Sequence, residues 1–247
     1  MVSRVLKNSI FLRIYAGLVV LVVVVAAFCY LLVQVINYQR AQEYREYLTD
    51  GISYVISEGV SRQPQKQQKL DWISDASDLL ELPIYYVDAA RVELSRTEKK
   101  RIAEQKSVVR YDANNGVGYI IIGLKDDAKH YLYIKVDKLG ERQMKALPIF
   151  VLDYLIFYPG QEREYLERIK KHFYYPITIA NIKDINLDSE QIGRLRQDQS
   201  ILLYKDSATV RGTTISIVSP MPNHPAQVLI LGPVPMFNWM PFQLSAG

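Results

Sequence analysis

Few residues in this chain have the types and spacing needed for chemistry. Its three histidines, His130, His172 and His224, are the natural candidates for metal ligands or general bases. None is placed on a helix with a Cys, His, Asp or Glu partner at metal-ligand spacing, so each is expected to be an ordinary surface side chain. His224 falls in "MPNHPAQ", which reads as an exposed turn. Asp126-Asp127 would suit a hard cation, but two adjacent acids in a loop read first as a solvated turn. The single cysteine, Cys29, lies inside an apolar run and excludes any intrachain disulfide. Phe28 before it is too bulky for a lipid-attachment site, so the thiol serves as a small apolar side chain. The chain has no G-x-S-x-G, no glycine-rich phosphate loop and no H-E-x-x-H. No catalytic, metal or cofactor residue is assigned, and no enzyme active site is expected.

The elements that would position these residues begin with a membrane signal. Ile14–Ile36 is a 23-residue run without a formal charge. About 20 helical residues cross the ~30 Å hydrocarbon core, so the run is long enough to span it. In lipid only a helix satisfies its own backbone, whatever the β-branched content. The preceding flank carries Arg4, Lys7 and Arg13 and no acid, which places the N-terminus in the cytoplasm and the rest outside. A cleaved signal peptide would have a shorter apolar core and a small-residue site; Ile36-Asn37-Tyr38-Gln39-Arg40 offers none. Without those three residues, 27 basic and 26 acidic residues remain, a balance that gives no case for nucleic-acid binding.

Beyond the span, Ala41, Tyr44, Leu48, Ile52, Val55 and Gly59 recur at intervals of three and four. They form one apolar stripe on a helix that continues out of the lipid. The stripe suits packing on the helix's own domain, a two-helix dimer seam that transmits motion, or both. Gly51 and Gly59 weaken a strict coiled coil.

The remainder repeats itself. With an offset of 93 residues, Pro83–Tyr111 overlies Pro176–Tyr204 without a gap, and six of 29 positions are identical, including Arg101/Arg194, Ser107/Ser200 and Tyr111/Tyr204. Average composition gives roughly two by chance. Capping-box-like starts recur as well, Ser95-Arg96-Thr97-Glu98 and Asp188-Ser189-Glu190-Gln191. Each half reads as a helix pair, a strand, a short helix and three further strands. The helix pairs are Tyr38–Ser61 with Gln68–Leu80, and Glu141–Phe157 with Glu162–His172. The later strands are Val108–Tyr111, Tyr119–Leu124 and Tyr131–Val136, then Ile201–Tyr204, Thr213–Val218 and Gln227–Leu231, with Pro220–Pro225 as a loop. The fold class is therefore α+β, one N-terminal transmembrane helix followed by two tandem α-α-β-α-β-β-β modules with mainly antiparallel sheets and helices on one face. "ALPIFVLDYLIFY", Ala146–Tyr158, is too short for a second span and is expected as a core helix at the junction of the modules. Phe237, Trp239 and Phe242 follow the last strand and suit a membrane interface.

Three stretches carry a family resemblance: "SIFLRIYAGLVVLVVVV", "PITIANIKDINLDSEQIGRLRQDQSILLY" and the exit "LILGPVPMFNWMP". Across essentially the whole chain the layout resembles the sensor region of proteobacterial two-component sensor histidine kinases of the RstB-like group. The resemblance implies a homodimeric inner-membrane protein that senses a periplasmic stimulus and controls autophosphorylation and phosphotransfer to a cytoplasmic response regulator. It implies residues 1–13 in the cytoplasm, 14–36 in the membrane, periplasmic modules at 37–140 and 141–235, and 236–247 as the approach to a second, missing span. ATP and Mg would belong to a kinase core that this chain lacks, so no kinase activity is expected of it alone. The alternative is a signal-anchored envelope enzyme or assembly factor with a single span.

Overall fold

The computed structural model describes residues 10–112, 115–137, 140–207 and 212–235. The chain divides into two compact units after Tyr44. A single 52-residue helix, α1 (Ile10–Ser61), runs through this division. Every described side chain from Arg13 to Arg40 is exposed, and among the described residues α1 is the one helix long and apolar enough to cross a membrane.

The body from Arg45 onward is α+β with two antiparallel four-stranded sheets. Helix α2 (Lys66–Leu80) leads to β1 (Ile84–Asp88), a 3-10 turn at Ala89–Arg91 and α3 (Arg96–Ala103). Strands β2 (Val108–Asp112), β3 (Val117–Gly123) and β4 (His130–Val136) follow, and the sheet order is β1-β4-β3-β2. Helices α4 (Glu141–Ile156) and α5 (Glu162–Lys170) then precede β5 (Ile177–Asn181), a 3-10 turn at Ile182–Asp184 and α6 (Ser189–Arg196). Strands β6 (Ile201–Ser207), β7 (Gly212–Met221) and β8 (His224–Pro235) complete a sheet of order β5-β8-β7-β6.

Backbone detail recurs at the 93-residue spacing. Asp88 and Asn181 cap the two 3-10 turns by accepting from the N–H groups of Ala90 and Lys183, at 2.8 and 3.1 Å. Ser95 and Asp188 start α3 and α6 with complete capping boxes. Gln105 and Asp198 both turn left-handed, with φ of 58° and 57°, to end those helices. In each case the next residue bonds back to an arginine carbonyl, Lys106 N–H to Arg101 at 2.9 Å and Gln199 N–H to Arg194 at 3.0 Å.

The larger core draws on both sheets and on α1, α2, α4 and α5; Val60, Leu132, Val151, Leu155, Ile169 and Leu229 are all fully buried in it. Helix α4 is a core helix, burying Phe150, Val151, Leu152 and Leu155. The sheets differ in one respect from the sequence expectation, because helices cover parts of both faces. A Cβ on Gly123 would lie 2.6 Å from Ile102 Cγ2, so α3 sits on the face of the first sheet opposite Ile120 and Ile122. In the second half Leu195 of α6 closes a separate small core with Ile201, Val218 and Val228.

Two further differences concern proline. The segment Pro220–Pro225 is not a loop: β7 reaches Met221 and β8 starts at His224, so Pro222 and Asn223 alone form the turn. Asn223, at φ 68°, takes the left-handed conformation that asparagine tolerates. Strand β8 also continues past Leu231 to Pro235. Between the pairs Ile217↔Leu231 and Ile215↔Val234, Gly232 and Pro233 together oppose Ser216, which makes a bulge where a missing N–H costs no ladder bond. Gly232 has φ 116°, and a Cβ there would come within 2.7 Å of the Ile215 carbonyl oxygen, so only glycine fits.

Candidate functional site

The C-terminal part of α1 is a spine shared by both halves of the body. Toward the first half, Ser57 Oγ donates to the Gly123 carbonyl at 2.8 Å, and Glu58 pairs with Lys125 at 3.0 Å. Toward the second, Tyr47 stacks on Tyr174 with ring centroids 3.9 Å apart, and Tyr54 stacks on His172 at 3.7 Å. The helical glycines that weaken a coiled coil are places of close approach. A Cβ on Gly51 would lie 2.3 Å from the Phe173 ring, and one on Gly59 would lie 2.5 Å from the Trp72 ring.

A buried polar network fastens this spine to the α3–β2 connection. Asp50, only 4% exposed, accepts from the Ser107 N–H at 2.9 Å and the Ser107 hydroxyl at 2.8 Å. Arg101 Nη2 reaches both Asp50 oxygens, at 3.0 and 3.1 Å, while its Nε donates to the Ser107 carbonyl at 2.9 Å and pairs with Glu46 at 3.1 Å. Thr49 and Ser107 hydroxyls lie 2.8 Å apart. Buried charges persist when each is paired and its remaining lone pairs are bonded, and Asp50 meets that condition. The chemistry here is attachment: every group is engaged by another side chain or backbone group.

One turn further along, α1 forms a wall of an apolar cavity of about 230 Å³. Leu48, Ile52 and Ile56 face it from α1, Met144 and Leu147 from α4, and side chains from β3, β4, β7 and β8 close it. Four polar side chains also line it: Thr49, Ser53, Gln143 and Tyr175. Thr49 is engaged with Ser107 and the Arg45 carbonyl, and Gln143 Oε1 accepts from the Gly140 N–H at 2.9 Å. The hydroxyls of Ser53 and Tyr175 have no hydrogen-bond partner among the described residues. Burial raises the pKa of Tyr175, which stays a neutral donor.

The residues singled out from the sequence fall in several places. Ile52, Val55 and Gly59 are buried within their own chain, Leu48 and Tyr44 are half-buried, and Ala41 lies in the helix. The lower stripe is therefore taken up by intrachain packing. Arg13 is exposed; Arg4, Lys7, Phe237, Trp239 and Phe242 lie outside the described residues. Two histidines are not plain surface side chains. His172 is half-buried on Tyr54, and desolvation lowers its pKa. His130 stacks on Tyr86 at 4.3 Å, and its Nδ1 lies 2.9 Å from Asp127, which also accepts from the Tyr86 hydroxyl. The Asp126-Asp127 turn is spent on protein partners. Burial opposes ionisation of Asp126, but the Lys69 ammonium at 2.5 Å together with further hydrogen bonds outweighs it and holds the carboxyl below its ordinary range. Among the described residues no group of three His, Cys, Asp or Glu side chains is placed to hold a metal ion.

Sequence reading missed Glu46 and Asp50 as partners of Arg101, and it missed the cavity. A cue to the first was present: Arg101 and Ser107 are two of the six identities in the repeat. The cavity left none, because its walls are ordinary core residues until two sheets and three helices are brought together. No protein-family model matches this chain, and neither does any curated protein or solved structure.

Proposed function

We propose that this chain is the membrane-anchored, stimulus-sensing region of a two-component sensor histidine kinase, with the N-terminus cytoplasmic and the body from about residue 37 in the periplasm. The body is two copies of one α-α-β-α-β-β-β module that share a core. One observation carries the reading: the helix with the exposed apolar segment is also the spine on which both sheets are fastened, and it forms a wall of the body's apolar cavity. A stimulus that favours one packing around that wall acts directly on the helix leading to the lipid. Such a shift requires a difference in binding energy between two arrangements. In the intact protein this would bias a homodimer and set phosphotransfer to a response regulator. Since Ile52, Val55 and Gly59 are buried in their own chain, the dimer contact falls on the upper part of the helix, around Gln39, Arg40 and Glu43, which are exposed.

Cysteine chemistry tests this in membranes. In a Cys29→Ser background, a membrane-impermeant maleimide added to spheroplasts should label Lys125→Cys and spare Lys7→Cys. Oxidative cross-linking should give dimers at Gln39→Cys or Glu43→Cys. Labelling of Lys7→Cys alone would overturn the topology, and absence of dimers at every upper position would overturn the homodimer.

A further inference from the structure

We infer that the apolar cavity beside α1 is a binding site for a small uncharged amphiphile: an apolar chain or ring bearing a single neutral hydrogen-bonding head, of the alkyl-alcohol type. Three observations lead there. The first is size. A cavity of ~150 Å³ lined by Leu, Ile and Phe stays dry and takes up benzene; at about 230 Å³ this one has room for a longer chain or a substituted ring. The second is charge. No lining residue is a carboxylate, ammonium, guanidinium or imidazole, so an ionised occupant would be desolvated without compensation. The third is the pair of unpartnered hydroxyls. Ser53 is 3% exposed and Tyr175 is 9% exposed, and both border the cavity. Both hydroxyls border the cavity with no hydrogen-bond partner among the described residues, and a single alcohol or carbonyl on the occupant can bond one or both.

The other two polar lining residues are already engaged. Thr49 belongs to the Asp50 network and Gln143 holds the start of α4, so the head group is directed to Ser53 and Tyr175. Ser53 stands on the same turn of α1 as Thr49 and Ile52, which brings the occupant against the spine itself. The binding site does not depend on the sensor function proposed above; only the role of the occupant as stimulus rests on it.

The test uses the whole chain in lipid nanodiscs, photolabelled with a 1-octanol analogue carrying a diazirine on its chain and mapped by peptide mass spectrometry. The expected labels fall on the peptides holding Ile52–Ile56 and Met144–Leu147, with separate labelling of Ile14–Ile36 from the bilayer as an internal control. Free 1-octanol should displace the cavity label, and sodium octanoate should do so at least about tenfold less well, as the cost of burying a carboxylate requires. Ser53→Phe fills the space and should abolish cavity labelling while sparing the bilayer control. Tyr175→Phe conserves volume and should weaken displacement by 1-octanol about three- to tenfold, the scale of one hydrogen bond. Labelling confined to Ile14–Ile36 in the unmodified chain overturns the inference, as does undiminished cavity labelling in a cooperatively melting Ser53→Phe. If Ser53→Phe does not fold, Tyr175→Phe decides alone: unchanged displacement overturns the assigned head-group contact. Equal displacement by octanoate overturns the uncharged class. Spheroplast labelling decides the sensor topology independently of all these outcomes.

Discussion

Beneath α3 the first sheet carries an ion pair where the second sheet, beneath α6, carries a leucine. Arg110 on β2 meets Glu98 with Nε to Oε1 at 2.8 Å and Nη2 to Oε2 at 2.9 Å. At the 93-residue spacing these become Leu203 and Gln191, and Leu203 packs against the small core of Leu195, Ile201, Val218 and Val228. Aligned positions 93 residues apart thus carry a polar filling in one sheet and an apolar filling in the other. This follows from the near-balance between the attraction in a partly buried ion pair and the cost of desolvating it. A second contrast runs the other way. Arg101 is held by Glu46 and Asp50 on α1, whereas its counterpart Arg194 forms no ion pair among the described residues. The arginine recurs in both halves, but among the described residues only Arg101 is ion-paired, whereas Arg194 acts on Glu141 of α4 at longer range.

The largest expected effect separates those two arginines. Arg101→Leu leaves Asp50 buried with its charge uncompensated and should destabilise the body by about 3–5 kcal/mol, while Arg194→Leu should cost under ~1 kcal/mol. Chemical denaturation of both variants measures the difference, and equal losses would dissolve the contrast. Next is the close approach of α1 to the second half. Gly51→Ala places a methyl where the Phe173 ring stands and should cost about 1–3 kcal/mol by overpacking. Phe173→Leu in the same chain should recover part of that loss.

The ion pair of the first half gives a pH signature. The Arg110 hydrogen bonds hold Glu98 down at about 2, against 4.5 for an ordinary glutamate. A depressed carboxylate adds stability above its unfolded pKa, and that stability is lost as pH falls from 4.5 through about 2. Replacing the pair with its second-half equivalents, Glu98→Gln with Arg110→Leu, should remove this part of the acid dependence. At pH 7 it should change stability by no more than about 1 kcal/mol. Thermal melts across pH 2–7 would show it. Smallest of all are the caps: Ser95→Ala and Asp188→Ala should each cost about 0.5–1 kcal/mol, and a clear inequality would mean the two short helices are anchored differently.

How much of this was legible in the sequence depended on whether the signal was local. The α+β class, the helix starts at Ser95 and Asp188 and the succession of elements along each half follow from periodicity and capping chemistry that a few neighbouring residues encode. The 3-10 turns went unread although Asp88 and Asn181 mark them at aligned positions; a single Asx cap is a weak signal until both are compared. The prolines of β7 and β8 misled for a physical reason. Pro220 and Pro225 lie beyond the last residues paired with β6 and β5, and Pro233 sits in a bulge, so none removes a ladder bond. Asp50 and the cavity were illegible because each depends on contacts across more than fifty residues of chain. The Asp50–Ser107 bonds span 57 positions, and the cavity draws its walls from residues as far apart as Leu48 and Val234.

An apolar cavity that stays dry is also a volume that the folded chain can lose. Unfolding eliminates such spaces, so hydrostatic pressure favours the unfolded state in proportion to them. About 230 Å³ in one place should make this body soft to compression for its length. A molecule that lodges there would stiffen it, and a rise in the midpoint of pressure denaturation would report occupancy without any label at all.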